Sequence, residues 1–140
     1  MKDLKILSVN TGRIINKTTK DTRITHAFTV EKFPFKLDFS IGATVMFMRD
    51  APEFDLRFDI FSPSGNELDE VLHEFEPDYE NVFVSDDGTI IFEVRLTPEQ
   101  HIAYTPGVYI VRATLRSEDD DILDEMQTKF YLCKSLKEVI

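Results

Sequence analysis

From Phe35 to Phe47 every second residue is apolar (Phe35, Leu37, Phe39, Ile41, Ala43, Val45, Phe47), and Lys36, Asp38, Ser40, Gly42 and Thr44 stand between them. In an extended backbone successive side chains point to opposite faces, so all seven share one face and the segment has the period of a half-buried strand. The same alternation recurs in Phe54, Leu56, Phe58, Ile60, in Ile90, Phe92, Val94, Leu96, and in Tyr109, Val111, Ala113, Leu115. Sheets packed on one face and wet on the other are characteristically antiparallel. The chain is therefore expected to be an antiparallel sheet protein.

Turn signals divide the rest. Residues 4–9 read as a first strand stopped by the turn cluster Asn10-Thr11-Gly12, and residues 16–21 as a polar loop. Ile24, His26, Phe28 and Val30 alternate as a second strand with a histidine on its buried face, closed by Pro34, which has no N–H for a ladder. The long run from Phe35 to Phe47, if straight, would span about 40 Å, twice an ordinary strand. A bend is expected at Gly42, leaving residues 35–41 as an edge lead-in and 43–48 as a central strand.

Ser62-Pro63-Ser64-Gly65-Asn66 has the chemistry of a hairpin loop. Residues 67–76 fit both a helical stripe (Leu68, Val71, Leu72, Phe75) and a strand (Val71, His73, Phe75); the hairpin loop before them demands a returning strand. Val82–Val84 reads as a short edge strand, Asp86-Asp87-Gly88 as a turn, Thr97-Pro98 as the start of a helical turn, and Thr105-Pro106-Gly107-Val108 as a type II turn. Residues 117–121 form a hairpin tip before a last strand over 122–133. About eight strands at this spacing make a two-sheet β-sandwich. We expect one domain over residues 1–140, with a leading strand and loop in 1–21 and a short tail in 134–140.

The net charge of −10 is unevenly spread. Residues 66–125 hold 17 acidic and 3 basic side chains, residues 1–65 hold 8 and 10. Such a surface repels phosphate backbones, so nucleic acid is not an expected partner unless Lys2, Lys5, Arg13, Lys17, Lys20 and Arg23 gather into one patch. No apolar run approaches the length of a membrane span, and the first residues lack the apolar stretch of a signal peptide. Together with a single cysteine, Cys133, on the outward parity of the last strand, this points to a soluble cytoplasmic protein.

Chemistry-bearing patterns are few. His26, His73 and His101 are too far apart in sequence to make a ligand pair on one element. No phosphate loop, nucleophile elbow or Cys-His arrangement occurs, so no catalytic residue, metal site or cofactor is expected. The acidic turns at Asp86-Asp87 and 118–121 supply oxygens but lack the spacing of a calcium loop.

The segment Pro106-Gly107-Val108-Tyr109-Ile110-Val111-Arg112-Ala113, followed by a hairpin and a final strand, resembles the penultimate strand of immunoglobulin-like and fibronectin-like domains. With Phe58-Asp59-Ile60-Phe61-Ser62-Pro63-Ser64-Gly65 it also resembles a family of small, uncharacterised bacterial proteins predicted to be immunoglobulin-like, over roughly residues 22–132. The final hairpin alone is similar to sandwich modules of phage baseplate and receptor-binding proteins. The resemblance implies an immunoglobulin-like antiparallel β-sandwich with Tyr109 packed inward at a sheet corner. It implies no catalytic residue.

Six apolar side chains fall on the parity opposite the core: Met46, Met48, Phe61, Ile91, Val108 and Ile110. Adjacent apolar residues on wet faces indicate a covered patch, so they are the candidate interface. The expected function is a non-catalytic interaction module that binds a protein or a second copy of itself. The alternatives are a structural part of a larger assembly such as a phage tail, and a calcium or small-molecule binding module.

Overall fold

Twelve strands arise from these alternations in the computed structural model, which describes residues 4–16, 18, 21–64, 67–73, 82–98 and 101–134. In chain order they are β1 (Leu4–Asn16), β2 (Asp21–Ile24), β3 (Ala27–Val30), β4 (Phe35–Lys36), β5 (Ser40–Met48) and β6 (Phe54–Phe61). There follow β7 (Glu67–His73), β8 (Val82–Val84), β9 (Thr89–Leu96), β10 (Ile102–Ala103), β11 (Gly107–Ser117) and β12 (Ile122–Lys134). A first sheet has the order β2-β1-β5-β9-β8 and a second the order β3-β12-β11-β6-β7, while β10 and β4 form a small ribbon. The protein is an all-β sandwich of immunoglobulin type. The count exceeds eight because connections expected to be irregular also form short strands.

The inner faces are the alternating sets read from the sequence. Ile41, Ala43 and Val45 of β5 face Leu56, Phe58 and Ile60 of β6 and Val111, Ala113 and Leu115 of β11 within one core cluster, and all are at most 2 % exposed. Full burial of a Leu, Ile or Phe stabilises by about 1.5–3 kcal/mol each, which is why these strands tolerate only one register. At one end the core is aromatic. Phe39 stacks on Phe28 at 4.1 Å between centroids and meets Phe130 edge-on at 4.9 Å, and Tyr109 stacks on Phe130 at 5.1 Å.

Tyr109 is buried, and its hydroxyl donates to the Thr105 carbonyl at 2.6 Å, the corner that the resemblance implies. Gly107, two residues before it, has φ 136°, and a Cβ there would meet Pro63 Cγ at 2.8 Å.

Four sequence expectations are corrected. Asn10-Thr11-Gly12 is no turn: β1 runs through it to Asn16, and its irregularity is a bulge between Ile6 and Ser8 that leaves Leu7 exposed. Gly42 is no bend: it lies inside β5, opposite Arg95 of β9, and the long alternation breaks instead at residues 37–39, between β4 and β5. Residues 24–30 are not one strand. Thr25 N–H bonds the Thr11 carbonyl in the first sheet at 3.0 Å, and one residue later the His26 carbonyl accepts from Tyr131 N–H in the second at 2.8 Å.

The chain therefore changes sheets between β2 and β3, and the alternation survives the crossing while its burial does not. His26 and Ile24 are exposed; Phe28 and Val30 are buried. Finally, β3 pairs with β12 in parallel, so the sandwich is not wholly antiparallel.

The strand reading of 67–73 holds, since β7 pairs antiparallel with β6; residues 74–76 of that expectation lie outside the described residues, as do 1–3, 78–81 and the tail from 135. His101 N–H bonds the Pro98 carbonyl at 3.1 Å; of the helical turn expected from Thr97, residues 99–100 lie outside the described residues.

Candidate functional site

The six residues of the expected interface lie on outward parity, but on two different sheets. In the first sheet Met46 of β5 is paired with Ile91 of β9, which is paired with Phe83 of β8; Met48 follows one position along that face. In the second sheet Ile110 of β11 is paired with Phe61 of β6, and Val108 with Tyr131 of β12. The two groups face opposite sides of the sandwich, so they make two patches and not one.

Met46, Met48, Ile91, Phe61 and Ile110 are half-buried and Val108 is exposed. Phe61 is partly covered already, because the Arg112 guanidinium sits 4.9 Å from its ring centroid. Among the described residues Phe83, 68 % exposed, is the largest exposed apolar side chain on the first sheet's outer face. Sequence reasoning placed its strand but missed the residue. The signal was available: the turn at 86–88 joins β8 to β9, so Phe83 shares the parity of Ile91.

Further along the same outer face lies a group that sequence reasoning missed altogether. Arg95 of β9 lays its guanidinium across β5 and β1: Nη1 donates to Ser40 Oγ at 2.8 Å and Nη2 to Asn10 Oδ1 at 2.6 Å. Ser40, 1 % exposed, in turn donates to the Gly12 carbonyl at 3.2 Å, which fixes its lone pairs toward Arg95. Both glycines are crowded from more than one side. A Cβ on Gly42 would lie 3.0 Å from the Val94 carbonyl oxygen and 3.1 Å from Arg95 Cζ, and one on Gly12 would overlap Thr22 Cγ2 and lie 3.1 Å from the Arg23 carbonyl oxygen and 3.2 Å from Arg95 Nη1.

Lying on the sheet costs Arg95 hydration, which lowers its pKa from the usual arginine value; the charge of Glu93 opposes that. Both hydrogen-bond acceptors are neutral, and no carboxylate among the described residues forms an ion pair with it. Of the three basic side chains between residues 66 and 125, the other two do: Arg112 meets Asp59 at 3.0 Å and Arg116 meets Asp120 at 3.3 Å.

The outer face of the second sheet is built differently. Asp59 is 2 % exposed and its charge is met by Arg112. Thr114, between Arg112 and Arg116 on β11, is fully buried and its Oγ1 has no hydrogen-bond partner. Arginine stems cover the threonine there; Arg112 and Arg116 are ion-paired through their terminal nitrogens, while the Nε atoms of both are buried without a hydrogen-bond partner among the described residues.

The acidic turns are occupied with their own backbone. Asp87 accepts from the Ser85 hydroxyl and from Thr89 N–H, bonds that hold its carboxyl below the usual aspartate value. Glu118, at the β11–β12 tip, shares a hydrogen bond with Glu53 and feels the charges of Glu53, Asp119 and Asp55, so its pKa is raised. Among the described residues no group of three or more His, Cys, Asp or Glu side chains is placed to hold a metal ion. Cys133 is half-buried, its Sγ 3.8 Å from the Phe28 carbonyl across the parallel pair.

No protein-family model matches the chain, and no curated protein does. Solved structures do. A bacterial adhesin from Mobiluncus mulieris, containing intramolecular disulfide, isopeptide and ester bond cross-links, is 8 % identical with a TM-score of 0.55; the match covers 94 % of this chain and 58 % of that one. An alkylpurine DNA glycosylase from Pseudomonas fluorescens, bound to DNA, matches over 95 % of this chain and 31 % of its own with a TM-score of 0.48 and 11 % identity. The chain thus spans less than two thirds of the proteins it is similar to. At this identity the adhesin likeness shows the fold and nothing more: a β-sandwich of immunoglobulin type.

Proposed function

We propose that this chain is a non-catalytic binding module that docks a protein on the outer face of its first sheet, a second copy of itself being the partner to test first. The observation that supports this reading is the row Met46, Ile91, Phe83. It crosses β5, β9 and β8 in register and ends on an edge strand with an exposed phenyl ring. Single exposed apolar residues are ordinary, whereas a row across three strands is a patch.

The test is molar mass by light scattering over a wide concentration range, for the wild type and for Phe83→Glu and Ile110→Glu. In a twofold dimer each substitution acts twice, so Phe83→Glu is expected to weaken association by about a hundredfold or more while leaving the Tm unchanged. Ile110→Glu, on the other sheet, leaves the dimer intact. A wild type that stays monomeric at every concentration overturns self-docking.

A second reading has its own observation. Val108, Ile110, Phe61 and Tyr131 form the other patch, on the opposite face. Two patches pointing opposite ways suit open, head-to-tail stacking, the behaviour of a structural part of a larger assembly such as a phage tail. Mass that grows past a dimer with concentration, and that Ile110→Glu caps, favours this reading.

A further inference from the structure

Arg95 presents a preorganised cation with which no carboxylate among the described residues forms an ion pair, Glu93 acting on it through its charge alone. The chain has a net charge of −10, and 17 acidic side chains lie between residues 66 and 125, yet this guanidinium is held by an amide oxygen and a hydroxyl. Its position is over-determined: Ser40 is buried and oriented by the Gly12 carbonyl, and both glycines beneath the guanidinium are buried. The planar fork has five N–H donors, and among the described residues two are engaged, by Ser40 and Asn10. Beside it, Ile24 is paired with Gly12 on the same face and is 60 % exposed, an apolar wall next to the charge.

We infer that Arg95, fixed by Asn10 and Ser40 over Gly12 and Gly42, is the anchor of a carboxylate-binding site on the outer face of the first sheet, which takes an acidic group of the docked protein. The inference rests on the proposed docking face, since the Gly42–Arg95 row lies four residues, about 13 Å, along the strands from the Met46–Ile91 row. A forked guanidinium with free N–H donors matches the two oxygens of a carboxylate, and holding it in place lowers the ordering cost of binding. A monoanion suits one cation beside Glu93 on an acidic protein, whereas a phosphate dianion is repelled. Ile24 adds contact for an aliphatic group next to the carboxylate.

The experiment is an NMR titration of the full-length ¹⁵N-labelled protein with sodium isobutyrate, sodium phosphate and sodium chloride at matched ionic strength. The Arg95 Nε–H and the amides of Asn10, Gly12 and Gly42 are followed. Isobutyrate is expected to give saturable shifts at these signals, and phosphate and chloride small linear ones. Arg95→Lys keeps the charge and loses the fork, so affinity should fall about tenfold. Asn10→Ala frees one arm of the fork and should weaken binding several-fold with the fold intact, which keeps the test valid if Arg95→Lys is unstable.

Isobutyrate shifts no larger than those of chloride overturn the site, as does an unchanged isobutyrate affinity in Arg95→Lys. Tighter binding of phosphate overturns the carboxylate assignment. Because the probe is small, the outcome separates from docking: no isobutyrate binding in a protein that dimerises removes the site alone, and binding by a strict monomer removes self-docking alone.

Discussion

Replacing Tyr109 by Phe removes one oxygen from the corner where β11 begins and leaves everything else in place. The ring is 1 % exposed and stacks on Phe130 at 5.1 Å with planes 11° apart, contacts that a phenyl group keeps. What is lost is the hydrogen bond to the Thr105 carbonyl at 2.6 Å. A neutral intramolecular hydrogen bond contributes about 0.5–1.5 kcal/mol net. Thr105 is exposed, so its carbonyl finds water and the further penalty of an orphaned buried acceptor does not arise. The expected cost is about 1 kcal/mol, a Tm lower by about 3–5 °C for a chain of this size. Urea denaturation followed by far-UV circular dichroism reads it directly, with an unchanged slope against denaturant. Tyr104→Phe is the control, since Tyr104 is 65 % exposed and should shift nothing. Equal or greater stability of Tyr109→Phe would refute the claim that this hydroxyl ties the loop at 105 to the sheet.

Two further outcomes follow from the same geometry. Phe39→Ala opens the centre of the aromatic cluster, where Phe39 contacts both Phe28 and Phe130, and should cost about 3–5 kcal/mol in the same denaturation assay; a loss below 1 kcal/mol would mean that the ring does not hold the β4–β5 connection against the core. Glu118→Gln tests the carboxylate pair at the β11–β12 tip. The folded pKa of Glu118 is raised by Glu53 and its neighbours, so the ionised form opposes folding above that pKa and the opposition fades as pH falls through it. Glu118→Gln should therefore raise the Tm at pH 7 and lose its advantage in acid, and a Tm difference independent of pH would contradict this.

How much of this was legible depended on what each residue signals. Alternation is a statement about two faces, so β6, β9 and β11 and their core sets could be read with little error, as could the core face of β5, though not its bounds, since no bend falls at Gly42. The hairpin tip at 117–121 was legible because its chemistry is local: Asp120 takes φ 64°, and Ser117 accepts from Asp120 N–H through its carbonyl and from Asp121 N–H through its hydroxyl. Which sheet a strand joins is not local. Ile24, His26, Phe28 and Val30 keep perfect alternation, yet a sheet change at Thr25–His26 reassigns the first two to solvent. For the same reason the outward parity of Met46 and Ile110 was legible while the number of patches they make was not: parity says inward or outward, and topology says which outward face.

The glycines carry the remaining lesson, because glycine has two physical uses and the sequence shows only the letter. Gly88 and Gly107 are used for conformation, with φ of 87° and 136°, and both were read as turns. Gly12 and Gly42 are used for the missing Cβ: neither has positive φ, and each lies in a strand where a Cβ would be crowded, by Thr22 at Gly12, by the Val94 carbonyl at Gly42, and by the Arg95 guanidinium at both. Strand glycines cost about 0.5–1 kcal/mol each, about 1–2 for the pair. Two charge-assisted hydrogen bonds at a half-wet surface return about the same. As a brace across three strands, Arg95 therefore adds little to stability beyond what the glycines cost. The arrangement makes sense if the guanidinium must lie flat and fixed with donors turned outward, which is the demand a carboxylate ligand makes.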